Sequence, residues 1–397
     1  MSAAVEEERR RRGLVRADPH EAIVSPLELF FDLVFVFALT QVTAFLAEDP
    51  MFAQLGRGLI VLAFIWWAWS GYCWLTSTVD PELVLPRLVM FAAMGVMLIV
   101  ALATPGAFTG DGVLWGVGYL TLRLLHAALF ALAARGDPTL ARAVVSLVVS
   151  LVPGAGLIIL ASAAFEEGTT RDMLWLVAVL LDYGIVLARG VEGWHVHAKH
   201  FAERFALVLI IALGESIVAI GVGVEGVELG AAEVIAALLG IGIACALWWA
   251  YFDVVAVVAE HRFTSAQGLE QLKIARDSYA LLHLPMIAGI VLFALGVKKV
   301  LEHTGDPLKD MPAVALCGGL ALYLLAHVAF RLRNTGSVGW RRIVAAAVCL
   351  AVIPVALEVS GVATLAILLG VWIALIGYEV TRDAEARAEI RAERIGH

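Results

Sequence analysis

Residues Val144–Ala164 read VVSLVVSLVPGAGLIILASAA, a run without one charged side chain. An α-helix rises 1.5 Å per residue, so a run of about 20 residues covers roughly the 30 Å of bilayer hydrocarbon. Comparable apolar runs lie upstream at Gly58–Trp74 and Leu88–Ala103. None shows the apolar/polar alternation of a barrel strand, and in lipid every backbone N–H and C=O needs an internal partner, so these segments read as helices. Composition extends the reading to the whole chain. Of 397 residues, 61% are hydrophobic and 16% charged, with mean hydropathy +0.89, whereas a soluble domain is about half apolar and a quarter charged. So much apolar surface implies an all-α integral membrane protein.

Twelve spans follow from the pattern, at 27–47, 57–79, 84–104, 113–134, 141–165, 172–188, 203–224, 232–258, 276–300, 312–332, 342–360 and 362–380. An even number places both termini on one side. Lys and Arg gather in cytoplasmic loops; here 22 of the 28 fall in the N-terminus, the even-numbered loops with the span ends that border them, and the C-terminus, against five in the odd-numbered loops with theirs. The expectation is a multi-pass protein of the cell membrane with cytoplasmic N- and C-termini. No cleavable signal peptide is expected, because Arg9–Arg12 and Arg16 precede an apolar run that starts only near Leu27 and has no small-residue cleavage site after it.

The halves resemble each other. Trp66-Trp67-Ala68-Trp69 matches Trp248-Trp249-Ala250-Tyr251, and one offset of 201 residues aligns Gly118 with Gly319, His126 with His327 and Pro153 with Pro354. Phe31, Ala38, Leu39 and Gln41 match Phe205, Ala212, Leu213 and Glu215. The expected organisation is a cytoplasmic segment 1–26, a six-helix repeat 27–188, a cytoplasmic linker 189–202, a second six-helix repeat 203–380 parallel to the first, and a cytoplasmic helical tail 381–397.

A charge at bilayer depth costs at least about 2.5–3.5 kcal/mol on insertion scales, so ionisable residues within spans are candidate sites. Glu28 and Asp32 are four apart on one helix face, suited either to a cation or proton or to pairing with a basic residue of a neighbouring helix. Glu215 is the deepest carboxylate, beside small Gly214 and Ser216, which permit close helix approach; Arg123 lies at comparable depth and is a possible counter-ion. The pathway candidates are Glu28, Asp32, Gln41, Arg123, His126, Glu215, Ser216, Asp253 and His283. Asp32 and Glu215 are expected to face a polar cavity between the halves. Asp182, His327 and Glu358 are further polar residues within spans.

Other classes are disfavoured. The four cysteines lack C-x-x-C spacing and read as packing residues. His126, His283 and His327 show no metal-ligand spacing, and His195, His197 and His200 read as surface histidines at the headgroup boundary, so no metal or cofactor is expected. The tryptophans read chiefly as lipid-facing or interface anchors. A formal charge of −8 and the lack of any phosphate-binding glycine motif after a strand argue against a nucleic-acid partner.

The stretches Pro26-Leu-Glu28-Leu-Phe-Phe-Asp32 through Gln41, Phe205 through Gly214-Glu215-Ser216-Ile217, and His283-Leu-Pro285-Met286 resemble the bacterial low temperature requirement A family of multi-pass membrane proteins, along nearly the whole chain. The resemblance implies a membrane fold and a role in growth in the cold, and assigns no molecular activity. A fainter likeness is to two-repeat potassium channels with Phe-Ser-Asp on the first helix of each repeat; Phe30-Phe31-Asp32 answers in part, while the second repeat has Phe205-Ala206-Leu207 without the Asp. The expected function is permeation or transport of an ion or small solute through a polar seam between the repeats, with the bilayer as partner. A membrane sensor or scaffold in cold adaptation is the alternative. An enzyme is not expected, since no nucleophile–base or metal constellation has a recognisable spacing.

Overall fold

The computed structural model describes Leu14 and residues 24–382. Among these the chain is helical without a strand, with isolated bridge residues at Val79 and at Pro307 paired with Ser360. Twelve helical segments follow the twelve sequence spans: α1 Pro26–Glu48, α2 Phe52–Thr78, α3 Val84–Leu102, α4 Gly112–Ala133, α5 Pro138–Ala164, α6 Thr169–Arg189 and α7 Ala198–Gly223; then α8 Ala231–Ser265, α9 Gly268–Glu302 and α10 Asp310–Thr335; then α11 Trp340–Ala351, with a helical turn Ile353–Ala356 after it, and α12 Gly361–Arg382. Ten are long and apolar enough to cross a membrane, all but α6 and α11. The expected all-α membrane class is borne out. The expected tail and most of the expected N-terminal segment lie outside the described residues.

Helix α6 can be less apolar because its charges meet protein. Arg171 donates to the carbonyls of Phe108, Thr109, Ser162 and Phe165, Asp172 pairs bidentately with Arg57 at 3.0 Å, and Asp182 accepts from Tyr119 at 2.6 Å. Helix α11 ends where Pro354 begins a separate helical turn, whereas Pro153 sits inside a continuous α5. Two π-helical stretches, Ala275–Leu281 in α9 and Val314–Gly318 in α10, interrupt the second half.

The chain divides into two compact units. Of the described residues, one unit holds those up to Phe45, Gly56–Arg204 and Gln267–Arg276, and the other holds Leu46–Leu55, Phe205–Ala266 and 277–382. In the first, α3, α4, α5 and α6 pack in succession around the rings of Phe64, Trp115, Tyr119 and Trp175, whose contacting centroids are 5.0 to 6.3 Å apart. In the second, α9 packs on α10, α10 on α11, and α12 on α8 and α11.

Buried rings correct the expectation that the tryptophans are mostly lipid-facing. Trp66, Trp69, Trp115, Trp175 and Trp372 are fully buried, whereas Trp248, Trp249 and Trp340 are exposed. The buried ones sit on helix faces that meet another helix, which span hydropathy alone does not distinguish from lipid-facing ones.

Loops segregate by parity within each unit. In the first, the even loops meet through Thr78 to His195 O, Ser77 to His197 N, and His195 near Asp137, and the odd loops meet through Arg57–Asp172 and the Arg171 bonds. In the second, the Arg333–Asp277 and Arg342–Glu379 pairs join the even end with the start of the C-terminal region. Thr304–Glu233 and Leu308 N to Ala356 O join the odd end. Membrane-spanning alternation requires this arrangement.

Candidate functional site

Helix α1 opens with Ser25-Pro26-Leu27-Glu28, a reciprocal cap. Ser25 N donates to Glu28 Oε2 at 2.9 Å and Glu28 N to Ser25 Oγ at 3.3 Å, and Pro26 occupies a position whose N–H the helix does not need. Asp32 follows one turn later on the same face. Helix α7 begins at Ala198, five residues before its expected start, which brings His200 and Arg204, also four apart, onto a helix. The two pairs interlock. Arg204 Nη1 donates to Glu28 Oε1 at 2.8 Å and to Thr76 Oγ1 at 3.1 Å, and Arg204 Nη2 donates to Asp32 Oδ1 at 2.6 Å. His200 Nε2 lies 3.0 Å from Glu28 Oε1, and Trp69 Nε1 donates to Asp32 Oδ1 at 2.8 Å. All four charged or titratable side chains are fully buried. Of the two pairings left open by the sequence, the structure places the carboxylates against a neighbouring helix's arginine.

A second cluster in the same unit centres on Arg123, eleven residues into α4. Its carboxylate neighbour is Asp182 of α6: Nη2 and Oδ1 are 3.5 Å apart, short of hydrogen-bond geometry, with both side chains buried. Tyr119 holds the other oxygen of Asp182. His126, one turn beyond Arg123, packs against the Tyr72 ring at 5.3 Å. Gly71 on α2 provides the space: a Cβ there would lie 3.1 Å from Arg123 Nη1 and 3.3 Å from His126 Nε2. Five buried polar atoms of this cluster, Arg123 Nε and Nη2, Asp182 Oδ1, and both ring nitrogens of His126, have no hydrogen-bond partner among the described residues. Helix α2 serves both clusters, with Trp69 and Thr76 on the first, Gly71 and Tyr72 on the second.

The remaining candidates distribute more widely. Gln41 is half-buried on α1, and Asp253 is half-buried where α8 breaks between Phe252 and Val255. In the second unit Glu215 and Ser216 are buried on α7. His283 is fully buried beside the π-helical stretch of α9, with Nδ1 3.0 Å from Ser278 O and Nε2 2.9 Å from the Tyr251 hydroxyl. Nδ1 therefore carries the proton and Nε2 accepts.

Sequence reasoning missed His200 and Arg204. The sequence groups His200 with His195 and His197 at the surface, yet it is fully buried while His195 is exposed; Arg204 falls in the first turn of the expected span 203–224 and is not among the candidates. Their i, i+4 spacing, the complement of Glu28 and Asp32, was the readable signal. Among the described residues no group of three or more His, Cys, Asp or Glu side chains is placed to hold a metal ion.

A family model described as bacterial low temperature requirement A protein matches residues 23–377, from just before the α1 cap into α12. The chain belongs to the bacterial low temperature requirement A family. Both clusters lie inside the matched region of this family member. A protein of Rhizobium meliloti (strain 1021), described as uncharacterized, is 30% identical over 309 residues, covering 75% of this chain and 74% of that protein. No solved structure matches the chain.

Proposed function

We propose that this low temperature requirement A family member moves an ion or small polar solute across the cell membrane without chemical conversion, its termini in the cytoplasm. The reading rests on the Arg123–Asp182–His126 cluster. Arg123 Nε and the His126 ring nitrogens have no hydrogen-bond partner among the described residues, and Arg123 Nη2 and Asp182 Oδ1 face each other only at 3.5 Å; buried polar atoms left dry cost about 1–3 kcal/mol each, and a fold that keeps them does so for water or a solute that reaches them. Arg123 lies about 15 Å from either end of α4 at 1.5 Å per residue, so the hydrated point falls near mid-membrane.

His126→Leu tests this directly. It removes two unsatisfied atoms at nearly constant volume, so melting temperature in detergent should hold or rise, while flux of labelled ions into liposomes falls at least about tenfold. Undiminished flux per folded molecule would remove the assignment. The second reading, a membrane sensor or scaffold acting in the cold, is favoured by the Glu28–Arg204–Asp32 network, whose paired charges suit a static clamp. Wild-type liposomes no leakier than protein-free ones to every ion in the panel would decide for it.

A further inference from the structure

At the even-loop end of the second unit, α8, α10, α11 and α12 surround a cleft of about 480 Å³. Among the described residues three arginines line it, Arg331, Arg341 and Arg342, with one carboxylate, Glu379. Glu379 holds Arg342 bidentately at 3.0 and 3.1 Å. Arg331 is exposed and bonded through Nε to Ser337 Oγ at 2.9 Å. Arg341 stacks over the Tyr378 ring, 4.9 Å from its centre. The wall also carries the first residues of α11, whose N-cap Gly339 supplies no side-chain acceptor, so the positive end of that helix opens on the cleft. His327, buried in the lining, donates from Nδ1 to Tyr323 O, and its Nε2 acceptor has no partner among the described residues. The opposite wall is apolar, with Val254, Val255 and Val258, and α11 continues outward as an exposed apolar face of Ile343, Val344 and Val348.

We propose that this cleft binds the phosphate headgroup of an anionic phospholipid. The arginines and helix end take the phosphodiester, His327 Nε2 accepts from a headgroup hydroxyl, and the acyl chains run along the α11 face. The apolar continuation favours a lipid over free phosphate, which needs no such face. The three arginines sit at the end expected to be cytoplasmic, where basic residues meet anionic headgroups.

The test compares the purified full-length protein in nanodiscs of phosphatidylcholine alone and with phosphatidylglycerol, reading melting temperature and retained lipid by native mass spectrometry. Phosphatidylglycerol should raise the melting temperature and be retained. Arg331→Gln and Arg341→Gln should each weaken retention about fivefold. Val338→Glu puts a carboxylate on an exposed wall position without touching the arginine bonds, and should do the same in a fully folded protein. Equal retention by Val338→Glu and wild type would overturn the proposal. So would reproduction of the stabilisation by millimolar inorganic phosphate in detergent, which would identify a free-anion site.

Discussion

Arg204 carries the charge balance of the α1 clamp. Replacing it by Gln leaves Glu28 and Asp32 buried together without their cation, and breaking one side of a buried pair costs about 3–5 kcal/mol. Arg204→Gln should therefore lose folded protein on size-exclusion chromatography, and Glu28→Gln in the same chain should recover part of the loss, since the double variant removes both members of the pair. Additive losses in the double variant would mean that the two side chains are not energetically coupled. Glu215→Gln keeps size while removing one charge at a buried position outside that clamp. A transport role expects normal expression with lost flux or lost low-temperature complementation; helix glue expects lower melting temperature with activity in proportion to folded protein. The sequence made Glu28 and Asp32 legible as a pair because i, i+4 spacing is local. Their partner was not legible, because Arg204 lies 172 positions from Asp32, in the first turn of the expected span 203–224, and nothing local says which helix that turn meets.

Helix crossings are set by residues with no side chain. Gly289 of α9 and Gly319 of α10 meet backbone to backbone: a Cβ at Gly289 would lie 2.6 Å from Gly319 O, and one at Gly319 would lie 2.8 Å from Gly289 O. Gly289→Val must push the two helices apart, at a cost of about 1–3 kcal/mol or more, with a matching fall in melting temperature. Gly214 is the control. It was expected to permit close helix approach beside Glu215, yet nothing lies within 4 Å of a Cβ there, so Gly214→Ala should leave melting unchanged. Both glycines look alike in sequence; only one stands at a crossing. The same limit applies to α7, where hydropathy placed the start at residue 203 and the helix begins at Ala198, because the polar turn is stabilised by partners on α1 and α2 that no window along α7 contains.

Parity of the loops makes the topology testable for the chain as a whole. Within each unit, even loops touch even loops and odd touch odd, and the basic residues concentrate on the even side. A single cysteine at Glu228 should react with an impermeant thiol reagent added outside whole cells, while one at Ser337 should react only after permeabilisation. Equal labelling of the two would refute the orientation.

The helical class, the number and order of the segments, and the family followed from the sequence alone, because lipid solvation acts on contiguous runs: 20 apolar residues in a row form a helix whatever they later touch. Which polar side chains would be neutralised, and by what, was decided only in the tertiary structure. Arg123 had two deep carboxylates to choose from in the sequence, and packing of α4 against α6 put it beside Asp182. Coulombic and hydrogen-bonding terms fall off over a few ångströms and depend on which helix faces meet, a property that no stretch of this chain encodes by itself.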